Sequence, residues 1–246
     1  MKALILAAGY ATRLYPLTRE YPKSLLPVKG SPIIDHIINR LALVDEIDEV
    51  IIITNNKFFR QFKVWQGKHR LKKKISIVND LTRDNARRLG AIGDMDFAVD
   101  KKRINEDLLV IGGDNLFNGC VNRFLNFARK FSGCPVIGAY DIKVMSQASK
   151  YGVIKLDKSK RVIDFQEKPK NSKSTLVAMC FYYFPKRRLG LIKEYLNTKA
   201  RRDDAMGFYI DWLRNRVPVY GYAFSGKWFD IGDHKFYNAA KNSFAK

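Results

Sequence analysis

Cysteine is scarce in this chain, and its three copies, Cys120, Cys134 and Cys180, are widely spaced and odd in number. That excludes a disulfide framework and a zinc site built on paired cysteines. They are expected to be buried small hydrophobes. The three histidines, His36, His69 and His234, have no metal-ligand spacing, and His36 falls on an apolar helical face where packing is its expected role. Long apolar runs are also missing. The first ends at Ala8 and is followed by Arg13, too short for a secretory core, and no later stretch approaches the ~18 residues of a membrane span. A cytoplasmic protein without a membrane partner is expected. Internal repeats, low-complexity linkers and a nucleophile-elbow motif are absent too.

Acidic residues are in short supply. Only 24 Asp and Glu face 45 Lys and Arg, leaving a net charge of +21 over 246 residues. Basic clusters recur at Lys72-Lys73-Lys74, Arg87-Arg88, Lys101-Lys102-Arg103, Lys186-Arg187-Arg188 and Arg201-Arg202. They lie in different segments and are not interleaved with aromatics as in single-strand binders, so no specific nucleic-acid partner is expected. What remains is a general field that draws anions.

The informative segment is the first thirty residues, MKALILAAGYATRLYPLTREYPKSLLPVKG. A short apolar strand (residues 3–7) runs into a loop of small residues, Ala8, Gly9, Tyr10, Ala11 and Thr12, then Arg13 and Lys23. Little side-chain bulk lets backbone N–H groups approach phosphate oxygens, and two cations downstream supply charge. A nucleoside triphosphate is the expected ligand. Beyond it, strand and helix signals alternate. Ser31 and Pro32 read as N-cap and first residue of a helix carrying Ile33, Ile34, Ile37, Ile38 and Leu41 on one face. Strands are expected at 49–54, 75–78, 108–111 and 136–140, with helices at 57–68, 89–99 and 121–131. After Tyr151 three strands follow without long helices between them, then helices at 186–198 and 204–214, a strand at 217–223 and a last helix from Asp233. With 46% hydrophobic residues the chain can bury a core. The expected fold is α/β, a single-domain Rossmann-like α/β/α sandwich with a mostly parallel mixed sheet and ligands at the strands' carboxyl ends.

Four separated blocks carry more specific information: LAAGYATRLYPLT with PKSLLPV, then GGDN, then YGV with QEKP, and WFDIGD. Together they resemble the sugar-1-phosphate nucleotidyltransferases over nearly the whole chain, glucose-1-phosphate thymidylyltransferases in particular. The resemblance implies a nucleotide-binding half (1–140) and a sugar-phosphate-binding half (141–246). It assigns Arg13 and Lys23 to the triphosphate and its transition-state charge, and Asp114 and Asp230 to a Mg2+ ion. It assigns Gly152, Glu167, Lys168 and Val177 to the sugar phosphate. Where the family usually has G-x-G-T-R, Ala11 replaces the second glycine, which costs freedom at positive φ.

For the base, no glutamine precedes the Arg88-Leu89-Gly90-Ala91 element. Asn79, Asp80 and Asn85 are the available polar side chains, with the Gly90 backbone facing the base, and the nucleotide stays open. The implied reaction is attack of a sugar-phosphate oxygen on the α-phosphorus of a nucleoside triphosphate, expelling pyrophosphate. Two alternatives stand beside it: a cytidylyltransferase acting on phosphocholine or another small phosphorylated alcohol, and a catalytically silent regulatory homologue. The oligomeric state, homo-oligomer included, is open. The tail after Asp230 is expected to be too short for the β-helix acyltransferase domain of some relatives.

Overall fold

The computed structural model describes residues 1–68, 73–198 and 205–244. β1 (Lys2–Leu6) leads through 3-10 turns at Thr12–Leu14 and Lys23–Leu25 into a small hairpin, β2 (Pro27–Val28) with β3 (Ser31–Pro32). Then come α1 (Ile33–Leu41), β4 (Glu49–Thr54), α2 (Phe59–Lys68), β5 (Lys74–Asn79), α3 (Gly90–Lys102) and β6 (Leu108–Gly112). β7 (Asn115–Phe117), α4 (Val121–Arg129), β8 (Val136–Asp141) and α5 (Met145–Ala148) follow. The last third holds β9 (Gly152–Leu156), β10 (Val162–Glu167), β11 (Leu176–Phe184), α6 (Gly190–Leu196) and α7 (Met206–Arg214). β12 (Tyr220–Ala223), β13 (Trp228–Asp230) and α8 (His234–Ser243) complete it.

The main sheet runs β10-β9-β11-β6-β1-β4-β5, with β8 on β11 and β12 on β8. β6, β1, β4 and β5 are mutually parallel, so their carboxyl ends share one edge; β11 runs antiparallel to β6 and begins at that edge. Both faces are covered, which explains why all six residues of β4 (EVIIIT) are apolar or buried. Alternation along β1 sends Ala3 and Ile5 into one core with α1 and α4, and Leu4 into the other with α3 and α7. No described helix is long and apolar enough to cross a membrane.

Several local expectations are corrected. Ser31 does not cap α1. It pairs with Val28 in the β2–β3 hairpin, so the helix opens after Pro32 without a side-chain cap. The helix expected at 186–198 starts instead as a 3-10 turn at Lys186–Arg188, where Asp107 accepts from the Lys186 N–H and Arg187 and Arg188 donate to the Gly133 carbonyl. Cys120 is exposed rather than buried, and Cys134 and Cys180 are half-buried. His36 is packed as expected, its Nε2 2.9 Å from the Val28 carbonyl and its ring edge-on to Phe244. His69, Lys72, Arg201, Arg202 and Asp204 lie outside the described residues.

Candidate active site

The loop after β1 is fixed from behind. The buried Asn55, just past β4, donates to the Ala8 carbonyl (2.8 Å) and accepts from the Phe58 N–H (3.0 Å). Gly9 is exposed, and a Cβ there would meet nothing within 4 Å, which leaves room for a phosphate to approach the backbone. Tyr10 turns inward, its hydroxyl 3.2 Å from Thr82 Oγ1. Ala11 occupies the left-handed region at φ 48°, ψ 43°, and its carbonyl accepts from the Leu14 N–H and the buried Thr18 hydroxyl. Thr12 and Arg13 follow in the exposed first 3-10 turn.

The end of β6 abuts the end of β1. The Gly113 N–H donates to the Leu6 carbonyl at 2.8 Å, and a Cβ on Gly113 would stand 2.6 Å from Ser24 Oγ and 2.8 Å from that carbonyl, so glycine is required. Asp114 follows, its Oδ2 accepting from Lys23 Nζ at 2.5 Å. β13 pairs with β7, setting Asp230 opposite Asn115, while the Ile231 N–H donates to the Asp114 carbonyl. Burial, and next the negative charge of Asp114, push the Asp230 carboxyl up to about 7, opposed by Lys23, Arg13 and Lys168. All five side chains therefore act within one field. Arg13 reaches the same motif, its guanidinium 3.9 Å from where a Cβ on Gly232 would stand.

A divalent cation suits this donor set. The two carboxylates line one cavity, the charge of Asp114 acts on Asp230, and an ammonium already rests on Asp114. Among the described residues no third His, Cys, Asp or Glu joins them as a metal-ligating group. Mg2+ is commonly held this way, by one or two carboxylates with phosphate oxygens and water filling the remaining positions.

Beside the carboxylates lies a cavity of about 330 Å³ whose lining includes Asp114, Asp230, Gly152, Glu167, Lys168 and Trp228. Pairing of β10 with β9 puts Glu167 opposite Gly152. A Cβ on Gly152 would lie 2.5 Å from the Phe165 ring, and one on Gly207 would overlap Glu167 Oε2. Glu167 is thus seated between two glycines from separate elements. Lys168 stands at the mouth, largely exposed, 3.5 Å from Glu167 Oε1. Val177 is corrected: it is fully buried in the opposite core, and the alternation of β11 presents Ala178, Cys180 and Tyr182 to the cavity instead.

The base-reading expectations fare less well. Asp80 is buried and committed internally, accepting from the Thr82 N–H (2.7 Å) and hydroxyl (2.8 Å) and hydrogen-bonded with Asp94. It is corrected from a base reader to a loop organiser. Asn79 is similarly engaged, donating to Asn56 and accepting from the Leu81 N–H. Gly90 has φ 78°, as the tight entry to α3 requires, and the next residue, Ala91, lines the cavity.

A model of the nucleotidyl transferase family matches residues 2–246. The chain belongs to that family. It is 31% identical over 235 residues to the bifunctional protein GlmU of Methanocaldococcus jannaschii, an alignment covering 94% of this chain and 51% of that protein. It is 28% identical over 241 residues to the glucose-1-phosphate thymidylyltransferase of Neisseria meningitidis serogroup A, covering 96% of this chain and 79% of the relative. A solved UDP-glucose pyrophosphorylase with UDP-glucose shares the fold, with a TM-score of 0.83 at 21% identity over 98% of this chain and 97% of that one. The chain spans about half the length of the GlmU relatives it matches.

In this nucleotidyl transferase family member, three residues that shape the site were unmarked in the sequence: Asn55, Asn115 and Gly207. Asn55 had a weak signal, a buried-type strand ending directly in two asparagines. Gly207 had another, a glycine at the start of an apolar helical stretch. Asn115 stood inside GGDN with no cue to what its amide holds.

Proposed function

We propose that this chain is a Mg2+-dependent nucleotidyltransferase that joins a nucleoside triphosphate to a sugar 1-phosphate, releasing pyrophosphate by in-line displacement at the α-phosphorus. One observation carries the reading. Asp114 and Asp230 share a field with Arg13, Lys23 and Lys168 at the head of a cavity that also holds Glu167. Two anionic substrates must meet in this reaction, so the protein's task is neutralisation and alignment. Bound Mg2+ would be held by Asp114 and Asp230 and would offset charge on the phosphate oxygens. The amides around Gly9 receive the triphosphate, and Arg13 and Lys23 meet the charge that develops on the leaving pyrophosphate. Lys168 faces the acceptor's phosphate, and Glu167 accepts hydrogen bonds from its hydroxyls. The cavity volume suits a hexose-sized acceptor.

The test is a pyrophosphate-release assay with each of four nucleotides against several sugar 1-phosphates and phosphocholine, with Mg2+ present or chelated. Magnesium-dependent release with a sugar 1-phosphate is expected, and Asp114→Asn should lower turnover at least 100-fold while the melting temperature holds. Release with phosphocholine alone would move the acceptor to the choline class. No release with any phosphorylated acceptor would refute the transferase reading.

A further inference from the structure

Asn115 is almost fully buried, with 1% of its surface exposed, and its amide has a determined orientation. The indole Nε1–H of Trp228 donates to its Oδ1 at 2.6 Å, so the amide nitrogen must point the other way. There it donates to Asp114 Oδ1 at 3.3 Å, while Lys23 holds Oδ2. Room for that nitrogen comes from Gly112, where a Cβ would stand 2.5 Å away. Trp228 in turn packs against Tyr151, a wall of the acceptor cavity, with ring centroids 5.3 Å apart. A line of contacts therefore runs from the acceptor pocket through one indole and one amide to a carboxylate.

Two features separate this from ordinary satisfaction of a buried polar group. A neutral amide hydrogen-bonded to one oxygen of a carboxylate leaves the other oxygen as the one presented to a cation, here Lys23. And the link joins two motifs, GGDN and WFDIGD, each of which supplies one carboxylate.

We propose that Asn115 is a positioning residue for Asp114, oriented by the Trp228 indole N–H, and that this pair sets the geometry in which Asp114 and Asp230 take a divalent cation. The proposal rests on the metal-dependent transfer argued above. Outer hydrogen bonds of this kind to a ligand typically change metal affinity or activity by about 10–100-fold.

The experiment uses Mn2+ alone as the probe, free ion being counted by electron paramagnetic resonance, on the wild type, Trp228→Phe, Asn115→Leu and the double variant. Trp228→Phe keeps a ring in the pocket and removes the donor. Both single variants should weaken Mn2+ binding at least 10-fold, and the double variant should be no weaker than Asn115→Leu, because the two act through one path. On ¹⁵N-indole-labelled protein, the one resonance lost in Trp228→Phe should shift in Asn115→Leu and broaden with Mn2+ in the wild type. Mn2+ affinity of Trp228→Phe within twofold of wild type would overturn the proposal, as would additive losses in the double variant. If Asn115→Leu fails to fold, Trp228→Phe decides alone. Because no nucleotide or acceptor is present, the result stands apart from the pyrophosphate assay: an active wild type with unchanged Trp228→Phe affinity refutes the positioning role only, whereas an inactive wild type refutes the transferase reading.

Discussion

Ala11 places a Cβ in a backbone conformation that costs an L-residue about 1–2 kcal/mol, and the Thr18 hydroxyl on its carbonyl helps hold it there. Glycine would remove the clash but give the unfolded chain more freedom to lose, worth about 0.4–1 kcal/mol in the other direction. Ala11→Gly should therefore stabilise the fold by only about 0.5 kcal/mol, whereas Thr18→Ala should destabilise it by about 1–2 kcal/mol. Urea midpoints with unchanged slopes test both, and a large loss from Ala11→Gly would show that the turn is not strained. At this scale Arg13, Lys23, Asp114 and Asp230 could be singled out because each is a charged side chain inside a short motif, and the fold brings the four together. Asn79 and Asp80 were misread for a physical reason. An Asn or Asp at a strand end reads equally well as a ligand group or as a turn former, and here each binds an N–H two residues on. The role of Asn115 was hidden because its partner, Trp228, lies 113 residues away.

Strands and helices with a strong period were readable as whole elements. β4 matches its expected span of 49–54, since a continuous apolar run has few alternatives. β7 and β13 were not readable. Three residues carry no periodicity, and their pairing exists only because distant segments meet at the sheet edge. That small ladder nonetheless ends at Asp230 and begins directly after Asp114, so it brings both candidate metal carboxylates together. The proposed acceptor side depends on elements in the same way, for α7 packs against β10 and its Gly207 makes the space that Glu167 fills. Adding a methyl group there forces Glu167 out of its seat, since the helix backbone cannot retreat without unpacking Tyr209 and Leu213, both fully buried. Gly207→Ala should raise the acceptor KM at least 10-fold, with little change in the nucleotide KM. Steady-state kinetics with each substrate varied in turn will show this, and equal effects on both KM values would count against a separate acceptor seat.

For the molecule as a whole, the scarcity of carboxylates makes each buried one matter. Glu49 is 4% exposed at the head of β4, where Lys102 Nζ lies 2.8 Å from Oε1, Ser76 donates to the same oxygen, and Lys2 and Lys74 lie 3.7 and 3.8 Å from Oε2. Burial alone would raise its pKa, but the hydrogen bonds from Lys102 and Ser76 and the nearby cations outweigh it and hold the carboxyl below its ordinary 4.5. Between the folded and unfolded values the unfolded chain binds more protons, so stability rises with pH there. The stabilisation is complete above about pH 4.5 and is lost as pH falls through the lower folded value. Glu49→Gln leaves the largely buried Lys102 ammonium facing a neutral amide and should cost about 1–3 kcal/mol at pH 7. The gap between wild type and variant should then narrow steadily below pH 4.5, which urea midpoints at descending pH will measure. The background charge sharpens the effect. Protonating the 24 carboxylates takes the chain from +21 toward the full +45 of its Lys and Arg, so self-repulsion grows as the buried anchor is lost. Raising salt from about 0.05 to 0.5 M shortens the screening length severalfold. The acid midpoint of the wild type should move to lower pH in response, while the difference between wild type and Glu49→Gln, set mainly by Lys102 and Ser76 on a buried carboxylate, should change much less.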